Sequence, residues 1–261
     1  MDTYIVNDKN ERMAIHVSTS PLDDAPVVLI EHGLAGFKEE DMILAAARAF
    51  KNQNFTVVTF DARFGLGDSD GDLEQANFTH FIEDLKTLVA WVKTQPFFSG
   101  KLFLCGHSLG AGACFYYATH FANDVQGVVS MAAVVSGQLL LDSYLEHKPD
   151  FVREWQKNKL LPRVHPSIKE RQGYISYAHI NDALRYHLID EVYKINCPVL
   201  LILADRDISS TLQINQKIFD ALQTSKKMVI IENATHTFKS PENQLKIEQV
   251  IEMWIKNIDN R

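Results

Sequence analysis

Apolar and polar positions follow two periods along this chain. Tyr4–Val6 and Met13–Val17 alternate apolar with polar residues around the polar stretch Asn7–Arg12. That is the pattern of an antiparallel hairpin at a sheet edge. Val27–Ile30, Phe55–Phe60 and Pro198–Leu203 are runs with almost no polar residue, as strands buried on both faces require. Lys101–Cys105, Val125–Met131 and Lys227–Glu232 read as three more strands. Between them, Glu39–Asn52 spaces Ile43, Leu44, Ala47 and Phe50 helically. Phe78–Thr94 does the same with Phe81, Ile82, Leu85, Leu88, Val89 and Val92. Ala111–Phe121, Ser209–Leu222 and Pro241–Ile258 complete the expected helices. Strands alternating with helices predict an α/β fold: a mostly parallel eight-stranded sheet with helices on both faces.

The alternation breaks between about residues 136 and 196. No strand pattern is visible there, and helices are expected over Asp150–Leu160 and Asn181–Tyr193. The segment is rich in aromatics, among them Tyr144, Phe151, Trp155, Tyr174, Tyr177 and Tyr186. It is too long for a simple crossover. A helical cap or lid inserted into one domain spanning residues 1–261 is the expectation, with a structural excursion that touches no ligand as the alternative. If the segment is a cap, Trp155 and Tyr174 are candidate substrate-binding residues.

Composition narrows the partners. The chain has 261 residues and a formal net charge of −7, which argues against nucleic acid, whose binders carry a basic footprint. No apolar run reaches the length of a membrane span. Met1–Asp8 has neither a basic head nor a long apolar core, so no signal peptide is expected. The three cysteines are odd in number and scattered, and no Cys/His spacing resembles a zinc site. They read as core residues in a reducing compartment, and a cytoplasmic location follows as the expectation.

The stretch with chemistry is Leu102-Phe103-Leu104-Cys105-Gly106-His107-Ser108-Leu109-Gly110. A strand runs into Gly-x-Ser-x-Gly and a helix of small residues follows, the context a nucleophile elbow requires. Ser108 would stand at the tip of a sharp turn. The N–H of Leu109, in the first helical turn, would face a bound carbonyl oxygen. A serine hydroxyl needs a base, and the base needs an orienting carboxylate. In parallel sheets such groups collect at the carboxyl ends of strands. Two late loops supply them. Ala204-Asp205-Arg206-Asp207 follows one strand and offers either Asp205 or Asp207; Glu232-Asn233-Ala234-Thr235-His236 follows the next and offers His236. A second oxyanion donor is expected after an early central strand. There His32-Gly33-Leu34-Ala35-Gly36 presents the N–H of Leu34, with His32 bracing the loop.

Taken together, these residues resemble the α/β-hydrolase superfamily over nearly the whole chain. The matching segments are His32–Gly36, the Gly65-Leu66-Gly67-Asp68-Ser69-Asp70-Gly71 loop, Gly106–Gly110, Asp207 and His236-Thr237-Phe238. In that family the acid sits three residues after the small residue closing its strand. Ala204 holds that place, so the resemblance implies Asp207 rather than Asp205. Within the superfamily the chain is similar to small carboxylesterases of the cinnamoyl/feruloyl-esterase type. Ala62-Arg63-Phe64 departs from those relatives, which more often carry a small polar residue and a histidine there.

The resemblance implies a cofactor-free, metal-free serine esterase with catalytic Ser108, Asp207 and His236 and an oxyanion hole from the Leu34 and Leu109 N–H groups. Its partner would be a small-molecule ester, with aromatic or short acyl groups, and neither nucleic acid nor membrane. The oligomeric state is open, a homodimer among the options. Thioesterase, aminopeptidase-like amidase and perhydrolase activities share the same triad. A non-catalytic binding scaffold on this fold is the reading from a different class, and it would predict a broken triad.

Overall fold

A computed structural model of the chain describes residues 1–164 and 170–259. Its strands are β1 (Asp2–Val6), β2 (Arg12–Ser18), β3 (Val27–Glu31), β4 (Thr56–Phe60), β5 (Leu102–His107), β6 (Gly127–Met131), β7 (Leu160–Val164), β8 (Gln172–Ser176), β9 (Val199–Ala204) and β10 (Lys226–Ile231). Its helices are α1 (Asp41–Asn52), α2 (Phe78–Val92), α3 (Leu109–His120), α4 (Gly137–His147), α5 (Pro149–Asn158), α6 (Ala178–Ala183), α7 (Leu212–Ala221) and α8 (Pro241–Asp259). Eight strands form one sheet in the order β1-β2-β4-β3-β5-β6-β9-β10. Pairing is antiparallel only at β1–β2 and β2–β4, so the sheet is mostly parallel as the alternation predicts.

The apolar runs occupy its interior. Every residue of β3, β4, β5, β6 and β9 is buried. Because side chains alternate across a strand, each buried strand feeds two cores. Val27 and Leu29 join the core covered by α2 and α3, whereas Val28 and Ile30 join the one covered by α1 and α8. Parallel register aligns the strand ends, so the loops after β3, β5, β9 and β10 emerge along one edge.

Several boundaries differ from the sequence reading, each for a local reason. Helix α3 starts at Leu109, two residues early, because it begins directly at the elbow. Helix α7 starts at Leu212 rather than Ser209. The preceding turn folds around the Asp207 carboxylate, and the Thr211 side chain caps the helix instead.

The inserted segment between β6 and β9 is not purely helical. It carries an antiparallel hairpin, β7–β8, where no strand was expected. These strands pair only with each other and are largely exposed, so they lack the long apolar run that marks a central strand. The helix expected over Asn181–Tyr193 is instead the short α6 followed by two 3₁₀ turns, Leu188–Asp190 and Val192–Lys194. Asp182 there accepts from the Thr79 backbone N–H (2.9 Å) and hydroxyl (2.7 Å), tying the insertion to the start of α2. Residues 165–169 of the insertion lie outside the described residues. All three cysteines are buried and unbonded, and no helix among the described residues is long and apolar enough to cross a membrane.

Arg63, the departure noted in the sequence, is fully buried. Its backbone N–H and Nε both bond Asp84 on α2 (2.7 and 2.5 Å), and its remaining nitrogens pair with Glu11 and Glu83. Burial pushes the Asp84 carboxyl up to about 6 against the pull of Arg63. Removing the cation leaves a buried, unpaired acid. Arg63→Ala should therefore cost about 3–5 kcal/mol, read as a lower urea midpoint at pH 7.

Candidate active site

The elbow forces a non-glycine residue into a left-handed backbone. Ser108 sits at φ +54°, ψ −115°, a conformation costing on the order of 1–3 kcal/mol. Surrounding hydrogen bonds hold it there. Its N–H donates to Met131 O (2.9 Å), and its carbonyl accepts from Gly112 N and Val134 N (both 3.0 Å). The neighbouring glycines are there for space. A Cβ on Gly106 would lie 2.5 Å from Ala111 N, and one on Gly110 would lie 2.6 Å from the Glu31 carbonyl oxygen. Strand and helix could not approach so closely otherwise.

The late loops deliver their side chains to this tip. His236 Nε2 lies 2.9 Å from Ser108 Oγ, and His236 Nδ1 lies 2.6 Å from Asp207 Oδ2. An ionised carboxylate only accepts, so Nδ1 carries the proton and Nε2 is left to accept from the serine hydroxyl. Asp207 is buried, which works against its charge. The facing His236 and the N–H groups of Ser210 and Ser209 (3.1 and 2.7 Å to Oδ1) outweigh that and hold its carboxyl below the usual range. Asp205, the other carboxylate, turns elsewhere: its Oδ1 accepts from Ala234 N (3.0 Å) and braces the loop that carries His236.

Leu109 is the first residue of α3, so its N–H has no partner one turn back. Leu34 sits in a tight turn closed by Gly36 N to Gly33 O (3.0 Å), with Ala35 at φ +57°. Both leucines border the same cavity as Ser108. His32 braces the loop of Leu34. Its Nε2 accepts from Ala62 N (2.9 Å), which leaves Nδ1–H to donate to Gly33 O (2.7 Å). Burial keeps that ring neutral. Lys38 adds a second tie, its N–H and Nζ bonding Asp61 at 2.7 and 2.9 Å.

His107 was not singled out in the sequence. Its Nε2–H donates to the His236 carbonyl (2.8 Å), fixing the His236 backbone. Burial first, and then the neighbouring His236, push its pKa down to about 3, so it stays neutral. Its only sequence signal is that it precedes the elbow serine, which does not distinguish it from any other residue there.

Two cavities meet at Ser108. One, of about 580 Å³, is walled by the insertion through Leu140, Phe151, Trp155, Leu161 and Ile175. The other, of about 360 Å³, is more polar and is bordered by Glu39, Asp41, Lys239 and Phe37. Trp155 is buried in the larger cavity's wall, with Nε1 bonded to Ile175 O (2.9 Å). Tyr174, the other candidate, is 54% exposed and lines neither cavity. Strand alternation explains the correction, since β8 turns Ile175 inward and Tyr174 outward.

The family model described as serine aminopeptidase, S33, matches residues 24–185. The ferulic-acid-bound structure of Est1E from Butyrivibrio proteoclasticus superposes with a TM-score of 0.81. The identity is 15%, over 99% of this chain and 100% of that one. The lysophosphatidylserine lipase ABHD12 of Danio rerio is 27% identical over 203 residues, 78% of this chain and 49% of its own length. The mitochondrial palmitoyl-protein thioesterase ABHD10 of Bos taurus is 23% identical over 197 residues, 75% of this chain and 62% of its own. The chain thus spans about half of that lipase and somewhat more of that thioesterase.

Directly before the His32–Lys38 loop lies Glu31, fully buried with neither carboxyl oxygen bonded among the described residues. Burial, reinforced by Asp84, raises its pKa well above the ordinary value, favouring the neutral acid in the folded chain. The unfolded chain ionises it near 4.5. Unfolding above that pH therefore releases a proton, and this group's contribution to stability falls as pH rises. Glu31→Gln should raise the urea midpoint at pH 8 and leave it nearly unchanged at pH 4.

Proposed function

The chain belongs to the serine aminopeptidase S33 family of α/β-hydrolases, and from that premise we propose that it hydrolyses carboxylic esters through Ser108, His236 and Asp207. The observation that carries this reading is the continuous Asp207–His236–Ser108 hydrogen-bond chain, 2.6 and 2.9 Å, opening onto two cavities. Ser108 Oγ attacks the acyl carbon while His236 Nε2 takes its proton. The Leu34 and Leu109 N–H groups receive the developing oxyanion. His236 passes the proton to the leaving alkoxide, which departs as the alcohol. Water then attacks the acyl-enzyme by the same route in reverse and releases the acid. Asp207 keeps the imidazole in the required tautomer throughout.

The larger cavity suits the acyl group. Its apolar and aromatic wall supports an aromatic or medium-chain acyl preference, in keeping with the ferulic acid bound to Est1E. A thioester is the second reading, supported by the same wall together with the palmitoyl-protein thioesterase relative. The smaller, polar cavity would receive the leaving group in either case. A small-molecule substrate, a cytoplasmic setting and the absence of any cofactor requirement complete the proposal.

Hydrolysis of p-nitrophenyl esters of rising chain length, methyl hydroxycinnamates and an acyl thioester tests it directly. Ser108→Ala should abolish turnover on all of them, and no turnover by the wild-type chain on any of them would overturn the reading. Asp207→Asn should lower kcat on the order of 10⁴-fold, whereas Asp205→Asn should keep most of the activity. Trp155→Leu should reduce kcat/KM for cinnamoyl esters relative to acetyl esters.

A further inference from the structure

The turn that carries Asp207 is anchored residue by residue to other parts of the molecule. Within the turn, Ser209 and Ser210 donate their N–H groups to Asp207 Oδ1. The Ile208 carbonyl accepts from Ser143 Oγ at 2.6 Å. Ser209 Oγ shares a hydrogen bond with Tyr144 Oη at 3.1 Å. Ser210 Oγ donates to Ala133 O (2.6 Å), and Asn215 Nδ2 donates to Ser210 O (3.0 Å). Ser143 and Tyr144 are consecutive residues of α4, in the insertion, each 65 positions from its partner. Two of the anchors on the acid turn therefore come from the segment that also walls the larger cavity.

We infer that Ser143 and Tyr144 are positioning residues for Asp207, so that the insertion holds the acid as well as the acyl group. The inference rests on the serine-hydrolase reading above. Aiming matters because a site tolerates only about 0.5 Å and 10–20° of error in its groups. The N–H groups that favour the Asp207 charge belong to the turn that α4 grips. Displacing the turn loosens both those bonds and the one to His236. The hydroxyls are not packing residues. Ser143 is buried, and a buried hydroxyl without its bond is a net loss that a small apolar side chain would avoid. Tyr144 packs edge-on to Phe151, a contact its ring makes without the hydroxyl. The titratable and charged groups around the turn are His236 opposite Asp207, His107 behind His236, Asp205 and Arg206 in the same loop, Tyr144, His147 and the adjoining Lys148 at α4, and Arg163 on the Tyr144 side.

The test uses a p-nitrophenyl alkylphosphonate. Ser108 Oγ forms the P–O bond, p-nitrophenolate leaves, and His236 takes the hydroxyl proton. The inactivation rate is followed against pH for wild type, Tyr144→Phe, Ser209→Ala, their double variant, Ser143→Ala and Ser143→Thr. A less well aimed carboxylate favours the imidazolium less, so the acidic limb of the profile should move to lower pH in Tyr144→Phe. The rate should fall about five- to tenfold, the value expected for one lost neutral hydrogen bond. The double variant should match Tyr144→Phe, because both changes break one bond. Ser143→Thr should recover what Ser143→Ala loses. On a short-acyl ester the loss should appear in kcat and not in KM, which a wall residue alone would not do. An unshifted limb, or independent losses that multiply in the double variant, would overturn the inference and leave the serine-hydrolase reading standing. Failure of the wild-type chain to react at all would overturn both.

Discussion

The reversal of the chain at Ser108 is the constraint on which the remaining structure depends. A parallel strand buried on both faces runs straight into a helix with no intervening loop, and the residue between them occupies a left-handed backbone. Such a turn persists only when its surroundings over-determine it. Here β6 supplies a carbonyl, the segment after it supplies an N–H, and two glycines give up their side chains so that helix and sheet can close. The serine is thereby lifted to the one edge where the neighbouring strands release their loops. His236, Asp207 and the loop of Leu34 need only come from those strand ends.

Around that point the electrostatics are divided by burial. Asp207 stays ionised because three donors face it. His32 and His107 stay neutral because they are enclosed, and each uses its N–H to brace a backbone carbonyl. One histidine near the elbow thus bonds both Ser108 and Asp207, and two others serve as fixed struts. The insertion adds a further layer. It closes the apolar side of the site with Trp155 and Phe151, while α4 reaches beneath to the acid turn.

Much of this was legible in the residues. The central strands announce themselves because burial on both faces demands unbroken apolar runs, and the elbow because few sequences other than Gly-x-Ser-x-Gly can make it. The choice of Asp207 over Asp205 came from the resemblance, by the count from Ala204, and not from the local residue pattern. Both are acids in the same loop, and only the three-dimensional course of the turn aims one at His236 and the other at Ala234. The β7–β8 hairpin was hidden because an exposed two-stranded ribbon needs no apolar periodicity. Tyr174 misled for a related reason, since an aromatic count says nothing about which side of a ribbon a residue takes. His107 and Tyr144 act through backbone and hydroxyl contacts to residues 129 and 65 positions away, separations that no short motif records.

The bracing of the loop from His32 to Lys38 has a consequence for engineering. His32 links Gly33 to Ala62, and Lys38 links the far end of the same loop to Asp61, whose carboxylate also accepts from Asp68 N. Residues 32–38 and 61–68 are therefore one mechanical part made from two pieces of chain. A graft that replaced the first piece alone would strand a buried aspartate and an unbonded amide in the second. Loop exchange or library design aimed at altering this site has to treat both segments as a single cassette.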